Sequence, residues 1–527
     1  MSTPFLRISS IIAAHAVALA LLAQPGSLDP TFAAAGKYVQ NFGANDNLTC
    51  VKVQPDGKVL AAGTAINANF SGKLLVVRLN PDGTPDNGFD GDGTLIVNAF
   101  NESYAYDLFV QADGKIVVVG TRYDGSFSAS MLALRLNADG TLDPSFGTGG
   151  YSEPNVSTGD DFAYAVAPLV NGQFLLAGSR IDSNFNNQPV VVRLNADGSV
   201  DNTFGNNGIA EVTVNQIENQ FWSVGVQADG RIVASGSFSR DIGGGLSDRD
   251  VLVACFDANG VLDPTFGTNG TVVKAITPDE QDVAFGQALD ASGNIFLAGF
   301  TEQADFSYDG FLLEMDADGV DVTTFGTGGT VTFNPPADQN VFYDVILQPD
   351  GKPLVCGTSG GFIFNPRDQV LARYTTTGVL DNTFGANGYV LNSINGGFDE
   401  ANALALQSDG AILVAGRGYS GTNNDITVFR HINDINTSVA EAVEPNALMV
   451  HPNPARSGMP IAMRSVEEMG RVRLFDASGA EVLLDVRSMT GPVRTVDLPA
   501  DLAPGTYVLQ VVGASGHTSG ARLVVQD

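Results

Sequence analysis

Seven phenylalanines, Phe32, Phe89, Phe146, Phe204, Phe266, Phe325 and Phe384, mark one point of a unit that returns every 57 to 62 residues. A fixed period of this size restricts a chain to a stack or ring of one supersecondary unit. Each copy can bury its apolar face only against its neighbours. The repeat therefore decides architecture before any single residue is weighed.

Each unit carries three further marks. The first is a tight-turn signal, Asp-Gly in Gln54-Pro-Asp56-Gly57, Gln111-Ala-Asp113-Gly114, Gln227-Ala-Asp229-Gly230, Gln348-Pro-Asp350-Gly351 and Gln407-Ser-Asp409-Gly410. Asn171-Gly172 and Ser292-Gly293 are its weaker copies. Glycine accepts the positive φ that such turns demand. The second mark is a β-rich run ending in glycine, as in Ile116–Gly120. The third is an apolar run ending near an arginine, as in Leu132–Asn137. With the segment after Phe-Gly these marks predict four short antiparallel strands, a, b, c and d, per unit, which is a propeller blade. No segment shows sustained helical periodicity, which excludes helical solenoids.

Segment lengths orient the unit. From the turn glycine to the glycine of strand b is always 6 residues, and from the strand-c mark to the next phenylalanine always 11. The b–c and d–a connections vary in length. In an antiparallel blade the constant turns lie at one face and the variable connections at the other, where binding usually sits. The chain enters with a lone d strand, Lys37–Phe42, and leaves after a, b and c of a seventh set, residues 402–432. This predicts a seven-bladed β-propeller closed by the N-terminal strand, which removes both free edges.

The pattern Leu-Asp-Pro-Ser/Thr-Phe-Gly, Gln-x-Asp-Gly-Lys-Ile and Arg-Leu-Asn-x-Asp-Gly resembles the bacterial delta-sixty propeller repeat and, more distantly, the NHL-type propellers. The resemblance spans residues 28–433. It implies the fold and no common chemistry.

The net charge is −31, from 58 acidic and 27 basic residues. Such a surface repels phosphate backbones and anionic lipid headgroups, so no nucleic-acid partner is expected. The three cysteines, Cys50, Cys255 and Cys356, fall at three different unit positions, so no disulfide framework is expected. His431 alone among the four histidines falls in the repeat region. No Ser-His-Asp triad or histidine metal site is therefore expected in it. No catalytic residue or cofactor is singled out. Phe89-Asp90-Gly91-Asp92-Gly93 lacks the twelve-residue calcium-loop pattern and reads as a polar turn.

The recurring Asp29, Asp86, Asp143, Asp201, Asp263 and Asp381 read as turn caps. Arg78, Arg135, Arg193, Arg373 and Arg430 read as pairing within or between blades. The longest b–c loop, Ser237 to Asp250, lies in the unit that holds the lone tryptophan. Trp222, Arg240 and Arg249 are accordingly the candidate binding residues.

The termini read differently. Residues 1–23 carry Arg7 and then an apolar run, Ile8–Ala23, a secretory signal with cleavage expected between Ala23 and Gln24. No later stretch is long and apolar enough to span a membrane as a helix. Residues 434–446 read as a linker. Residues 447–527 alternate apolar residues between Gly and Pro turns, predicting a small immunoglobulin-like β-sandwich. Their Pro452-Asn453-Pro454 start, the Asp476–Gly479 turn and Leu502-Ala-Pro504-Gly505-Thr-Tyr507 resemble the type A C-terminal sorting domain of the type IX secretion system. That resemblance implies Sec export, passage through the outer membrane by the type IX machinery and a secreted or cell-surface location.

The sequence thus points to a surface or extracellular propeller that binds a glycan, polymer (an extracellular polysaccharide) or protein on the variable-connection face without catalysis. Two alternatives stay open: a carbohydrate-active enzyme with paired carboxylates in the funnel, and a structural surface-layer component.

Overall fold

Each repeat unit folds into the same ladder because its turns fix where strands reverse and its alternating apolar residues fix which faces pack. The computed structural model describes residues 24–67, 69–213, 219–243, 246–335, 339–361 and 366–434. Beyond these it describes 449–451, 455–456, 460–464, 469–475, 481–482, 485–486, 493–499, 502–503, 505–513 and 518–526. All regular structure among the described residues is β-strand. The chain divides into two units, Met1–Ile435 and Asn436–Asp527. Ala23 and the rest of the expected signal lie outside the described residues, as does most of the expected linker.

In the first unit the strands pair in sequence order. The first set is Asn47–Val53, Val59–Ile66, Gly72–Leu79 and Thr94–Ile96. Four other sheets also have four strands, and two further sets join through one parallel pair, Tyr308 with Gln339, into an eight-stranded sheet. The last set takes its fourth strand from the chain start. Lys37–Gln40 pairs antiparallel with Asn424–His431, with Tyr38 opposite Val428 and Val39 opposite Thr427.

Apolar cores lie between successive sheets. Leu60 and Val76 of the first set pack with Leu108 and Val118 of the second. Leu75 and Val77 of the first set, from the other face, pack with Leu413 and Val428 of the last. The first strands of consecutive sets, beginning with Asn47–Val53 and ending with Glu400–Leu406, touch in sequence, and the last touches the first. These strands therefore surround the axis.

The marker phenylalanines are fully buried. Each lies against the glycine of the next unit's c–d turn: a Cβ on Gly140 would stand 3.0 Å from Phe89, and one on Gly198 2.8 Å from Phe146. The residue after the marker donates its N–H to the same turn, as in Gly147 to the Asp197 carbonyl at 2.7 Å and Gly205 to the Asn259 carbonyl at 2.6 Å. At the last junction the N-terminal segment substitutes: Gly385 N–H donates to the Pro25 carbonyl at 2.8 Å, and Gly26 faces Phe384.

The motif aspartates do two tasks at once. Asp143 Oδ1 accepts from the Ser145 N–H and hydroxyl at 3.1 and 2.7 Å, capping the turn. Its Oδ2 accepts from Lys115 at 2.8 Å and Arg135 Nε at 2.7 Å. Arg135 also donates to the Ala196 carbonyl of the next set at 2.6 Å and lies 4.8 Å over the Phe146 ring. Hydrogen bonds from Lys115, then Ser145 and Arg135, hold the Asp143 carboxyl well below the usual range. Thr203 foremost lowers Asp201 to about 2. Where Cys255 replaces the arginine, Asp263 keeps the other cation: Arg231, at the unit position of Lys115, approaches it at 3.6 Å.

Two strand readings change. Strand b does not end at its glycine; Val59–Ile66 runs on past Gly63. The cause is a bulge in strand a, where the register slips between Leu48 and Cys50 and at the equivalent place in every set, for instance Ala105/Asp107 and Phe342/Asp344. The bulge pushes a carbonyl at strand b: a Cβ on Gly63 would lie 2.0 Å from the Asn47 oxygen, and one on Gly120 1.9 Å from that of Tyr104. Glycine here makes room rather than ending a strand. The second change is in the fourth set. Most of its long b–c connection is strand, because Ile232–Gly243 and Leu246–Phe256 extend as a hairpin.

Among its described residues the second unit forms two sheets. One orders Met449–His451, Pro460–Arg464, Val493–Asp497 and Asp485–Val486. The other orders Ala455–Arg456, Thr518–Gln526, Gly505–Gly513, Met469–Phe475 and Glu481–Val482. Leu474, Val496, Leu509 and Val525 are buried. Tyr507 is also buried, and its hydroxyl donates to the Ala503 carbonyl at 2.7 Å. Pro452, Asn453, Pro454, Gly479 and Pro504 lie outside the described residues.

Candidate functional site: the aromatic arc at the axis

At each bulge one residue of strand a is left without a ladder partner: Thr49, Tyr106, Tyr164, Trp222, Phe285, Tyr343 and Asn402. A bulge re-aims the side chain of its extra residue. Here five consecutive ones are aromatic, and they meet. Ring centroids are 5.2 Å apart for Tyr106–Tyr164, 4.4 Å for Tyr164–Trp222, 5.4 Å for Trp222–Phe285 and 5.5 Å for Phe285–Tyr343. All five are half-buried. Burial pushes the phenols of Tyr106, Tyr164 and Tyr343 above their ordinary value. Trp222 Nε1 is buried and meets no acceptor.

The two polar members close the arc. Thr49 donates to the Ala105 carbonyl at 2.8 Å, and Asn402 to Asn47 Oδ1 and the Leu48 carbonyl at 2.8 Å each. The bulge lies two to four residues from the start of strand a and four from its end, beyond which lies the constant a–b turn. The arc thus runs from mid-strand at Tyr106 and Tyr343 to nearer the variable-connection face at Trp222.

Deeper along the axis stand Lys52, Asp107 and Asp344. Lys52 Nζ lies 3.7 Å from Asp107, and 48% of its side chain faces open space. Protein surrounds it all the same, as inside a channel. The Asp107 charge first, then Asp344, push its ammonium up against the opposing effect of desolvation. Burial, opposed by Lys52 and backbone donors, raises Asp344 to about 6. The carboxylates are engaged structurally. Asp107 accepts from the Val166 N–H of the next set at 3.1 Å, and Asp344 from that of Leu404 at 2.8 Å. On the constant-turn face a cavity of about 810 Å³ is lined by Lys52, Gln54, Arg78, Phe109 and Gln111.

The sequence candidates separate. Trp222 is central to the arc. Arg240 sits on the extended hairpin and pairs with Asp248 at 2.6 Å, Asp250 at 3.4 Å and Asp279 at 3.5 Å. Arg249 donates to Gln281 Oε1 at 2.6 Å. Gln24 donates to the Gly385 carbonyl at the last junction. Sequence reading passed over Tyr106, Tyr164, Phe285 and Tyr343, although each stands eight residues before its hairpin glycine, as Trp222 does.

The cysteines are buried and free. Burial raises the Cys255 thiol to about 12 and pushes Cys50 and Cys356 up as well. Buried His431 pairs its Nδ1 with the Gly26 carbonyl at 2.7 Å. Among the described residues no group of three or more His, Cys, Asp or Glu is placed to hold a metal ion. No helix among them is long and apolar enough to cross a membrane.

Residues 54–89, 111–146, 171–204, 227–266 and 348–384 match the family described as "Domain of unknown function (DUF5122) beta-propeller". The chain is a β-propeller. No curated protein matches it. Among solved structures, the propeller is similar to a putative oxidoreductase (glucose dehydrogenase) from Thermus thermophilus, at 13% identity and a TM-score of 0.35, over 62% of this chain and 96% of that one. It is similar to the soluble aldose sugar dehydrogenase of Escherichia coli at 12% identity and a TM-score of 0.30, over 74% and 99%. The chain is also similar to PorZ, a surface component of the type-IX secretion system of Porphyromonas gingivalis, at 11% identity and a TM-score of 0.18, over 94% and 100%.

Proposed function

We propose that this chain is a secreted or cell-surface seven-bladed propeller that binds a polymer or protein, without catalysis, at the variable-connection end of its axis. The aromatic arc carries the reading. Five half-buried rings from five consecutive inner strands form an apolar floor with a buried, unpaired indole N–H among them. Rings of this kind offer faces for sugar or side-chain stacking and cost little conformational entropy to order. The carboxylate-enzyme alternative draws on Asp344, whose carboxyl is raised to about 6. Both its oxygens accept backbone N–H groups, from Val345 and Leu404 at 2.8 Å each, so it serves the frame.

In this reading residues 1–23 direct export, 28–433 form the propeller, 434–446 link, and 447–527 are a sandwich that acts as a sorting domain for the type IX machinery. The sequence resemblance of 447–527 supports that assignment. The test is a glycan and polymer array probed with the chain, followed by titration of Trp222 emission. Binding that perturbs the indole, with no reducing sugar released, is expected. Turnover of a bound glycan, or hits indifferent to Trp222→Ala and Tyr164→Ala, would overturn it.

A further inference from the structure

Four phenylalanines stand on the tips of b–c turns. Phe70, Phe127, Phe185 and Phe306 are 79, 75, 83 and 66% exposed, with φ of 62°, 62°, 64° and 67°. Each closes a five-residue turn. Phe70 N–H donates to the Asn67 carbonyl at 2.9 Å while Asn67 N–H donates to that of Ser71 at 3.1 Å, and the other three repeat the pattern. The same turn occurs in all seven a–b hairpins and in six c–d turns, and there the left-handed position is glycine, from Gly57 to Gly410 and from Gly83 to Gly378. Around the a–b glycines Gly114 and Gly230 space is open enough for a side chain. Left-handed backbone disfavours a bulky residue, and full exposure wastes an aromatic ring. Folding alone therefore does not place phenylalanine at four tips of one face.

The interior shows what such a ring can hold. The guanidiniums of Arg78, Arg135, Arg193 and Arg373 lie 4.6 to 4.8 Å over a phenylalanine ring while pairing with an aspartate at 2.7 to 2.9 Å. Three of the four crown turns add a carboxylate to the ring: Asp124 and Asp182 open two of them, and Asp305 precedes Phe306. One oxygen of each caps the turn, accepting from the N–H of Ser126, Asn184 and Ser307; in the Phe70 turn Asn67 takes that place. The nearby Arg122 and Arg180 are already committed to Glu153 and Glu211 at 2.6 and 2.7 Å. The chain carries −31 overall.

We propose that the b–c crown docks an extended arginine-rich polypeptide, whose guanidiniums stack on the four rings and face the carboxylates that three of the turns carry. The inference rests on the variable-face reading and names its partner class. Charge complementarity selects a cation, and repetition around the face selects a segment with several such groups, each adding to avidity.

The test uses the full chain, fluorescent octa-arginine and the quadruple variant Phe70→Gly, Phe127→Gly, Phe185→Gly, Phe306→Gly. Glycine suits the left-handed turns and leaves net charge unchanged. Melting temperature and circular dichroism of the variant are expected to match the parent. At about 0.15 M salt, where surface attraction is screened beyond ~8 Å, octa-arginine should bind the parent at least tenfold tighter than the variant, and tighter than octa-lysine. Equal affinity for parent and variant would reduce the binding to bulk charge and overturn the proposal. Loss in the variant of a neutral dextran or array glycan, with octa-arginine unbound, would overturn it while leaving the variable-face reading standing.

Discussion

Arg135 carries four contacts with one planar group: the Asp143 carboxylate, the Ser145 hydroxyl, the Ala196 carbonyl across the blade junction, and the Phe146 face. Arginine alone offers donors in a fixed fork together with a flat face that stacks. Its side chain is 9% exposed. Removing it leaves a buried carboxylate with Lys115 as its remaining cation and strips a donor from a carbonyl. Arg135→Ala is expected to cost about 3 kcal/mol, the scale for breaking a buried pair. Urea unfolding checks this; a loss under about 1 kcal/mol would contradict it. Turn capping by these aspartates and pairing by these arginines were legible in the sequence, because their spacing recurs unit by unit; that they pair with each other was not. That the residue after the hairpin glycine, Lys115 or Arg231, reaches the same aspartate was not, since the two lie in different parts of the unit.

At the scale of the strand, the turn glycines and constant segment lengths were enough to place a, b, c and d and the face of each connection. The bulge was hidden. It is a pairing event between two strands, and its sequence trace is a glycine in strand b, which reads locally as a strand end. Yet Gly63, Gly120 and their equivalents are there because a carbonyl of strand a lies where a Cβ would stand. Without the bulge the arc is invisible as a group. Its members appear as unrelated aromatics scattered through apolar runs, although their distance from the hairpin glycine is fixed. The crown escaped notice for the opposite reason. A phenylalanine in a turn position reads as an exception to turn chemistry, and only the shared left-handed backbone shows that the exception repeats.

For the whole molecule, stability depends on how the ends meet. Residues 25–40 supply the last junction's hydrogen bonds, its buried phenylalanine contact and the fourth strand of the last sheet. His431 belongs to this seam. It is fully buried, and burial lowers its pKa from 6.5 to about 4. The unfolded chain therefore binds a proton between those values while the folded chain does not. The His431 contribution is complete above pH 6.5 and is lost as pH falls toward 4, by up to about 3 kcal/mol. Buried Asp282, raised to about 7, acts in the opposite sense, so the comparison must be with His431→Gln. From pH 7.5 to 4.5 the parent should lose more melting temperature than that variant; parallel losses would remove His431 from the account.

Closure itself is most directly tested by a cross-link. Val39 and Thr427 stand opposite each other in the antiparallel register, although 388 residues separate them. Val39→Cys with Thr427→Cys, in a chain whose three native cysteines are buried, should oxidise without denaturant to an intramolecular disulfide, since facing strand positions approach within bonding geometry. Peptide mapping by mass spectrometry should recover that linkage in most molecules, with a raised melting temperature. The two introduced thiols left free in the folded chain, or disulfides only between chains, would show that the N-terminal strand does not complete the last sheet.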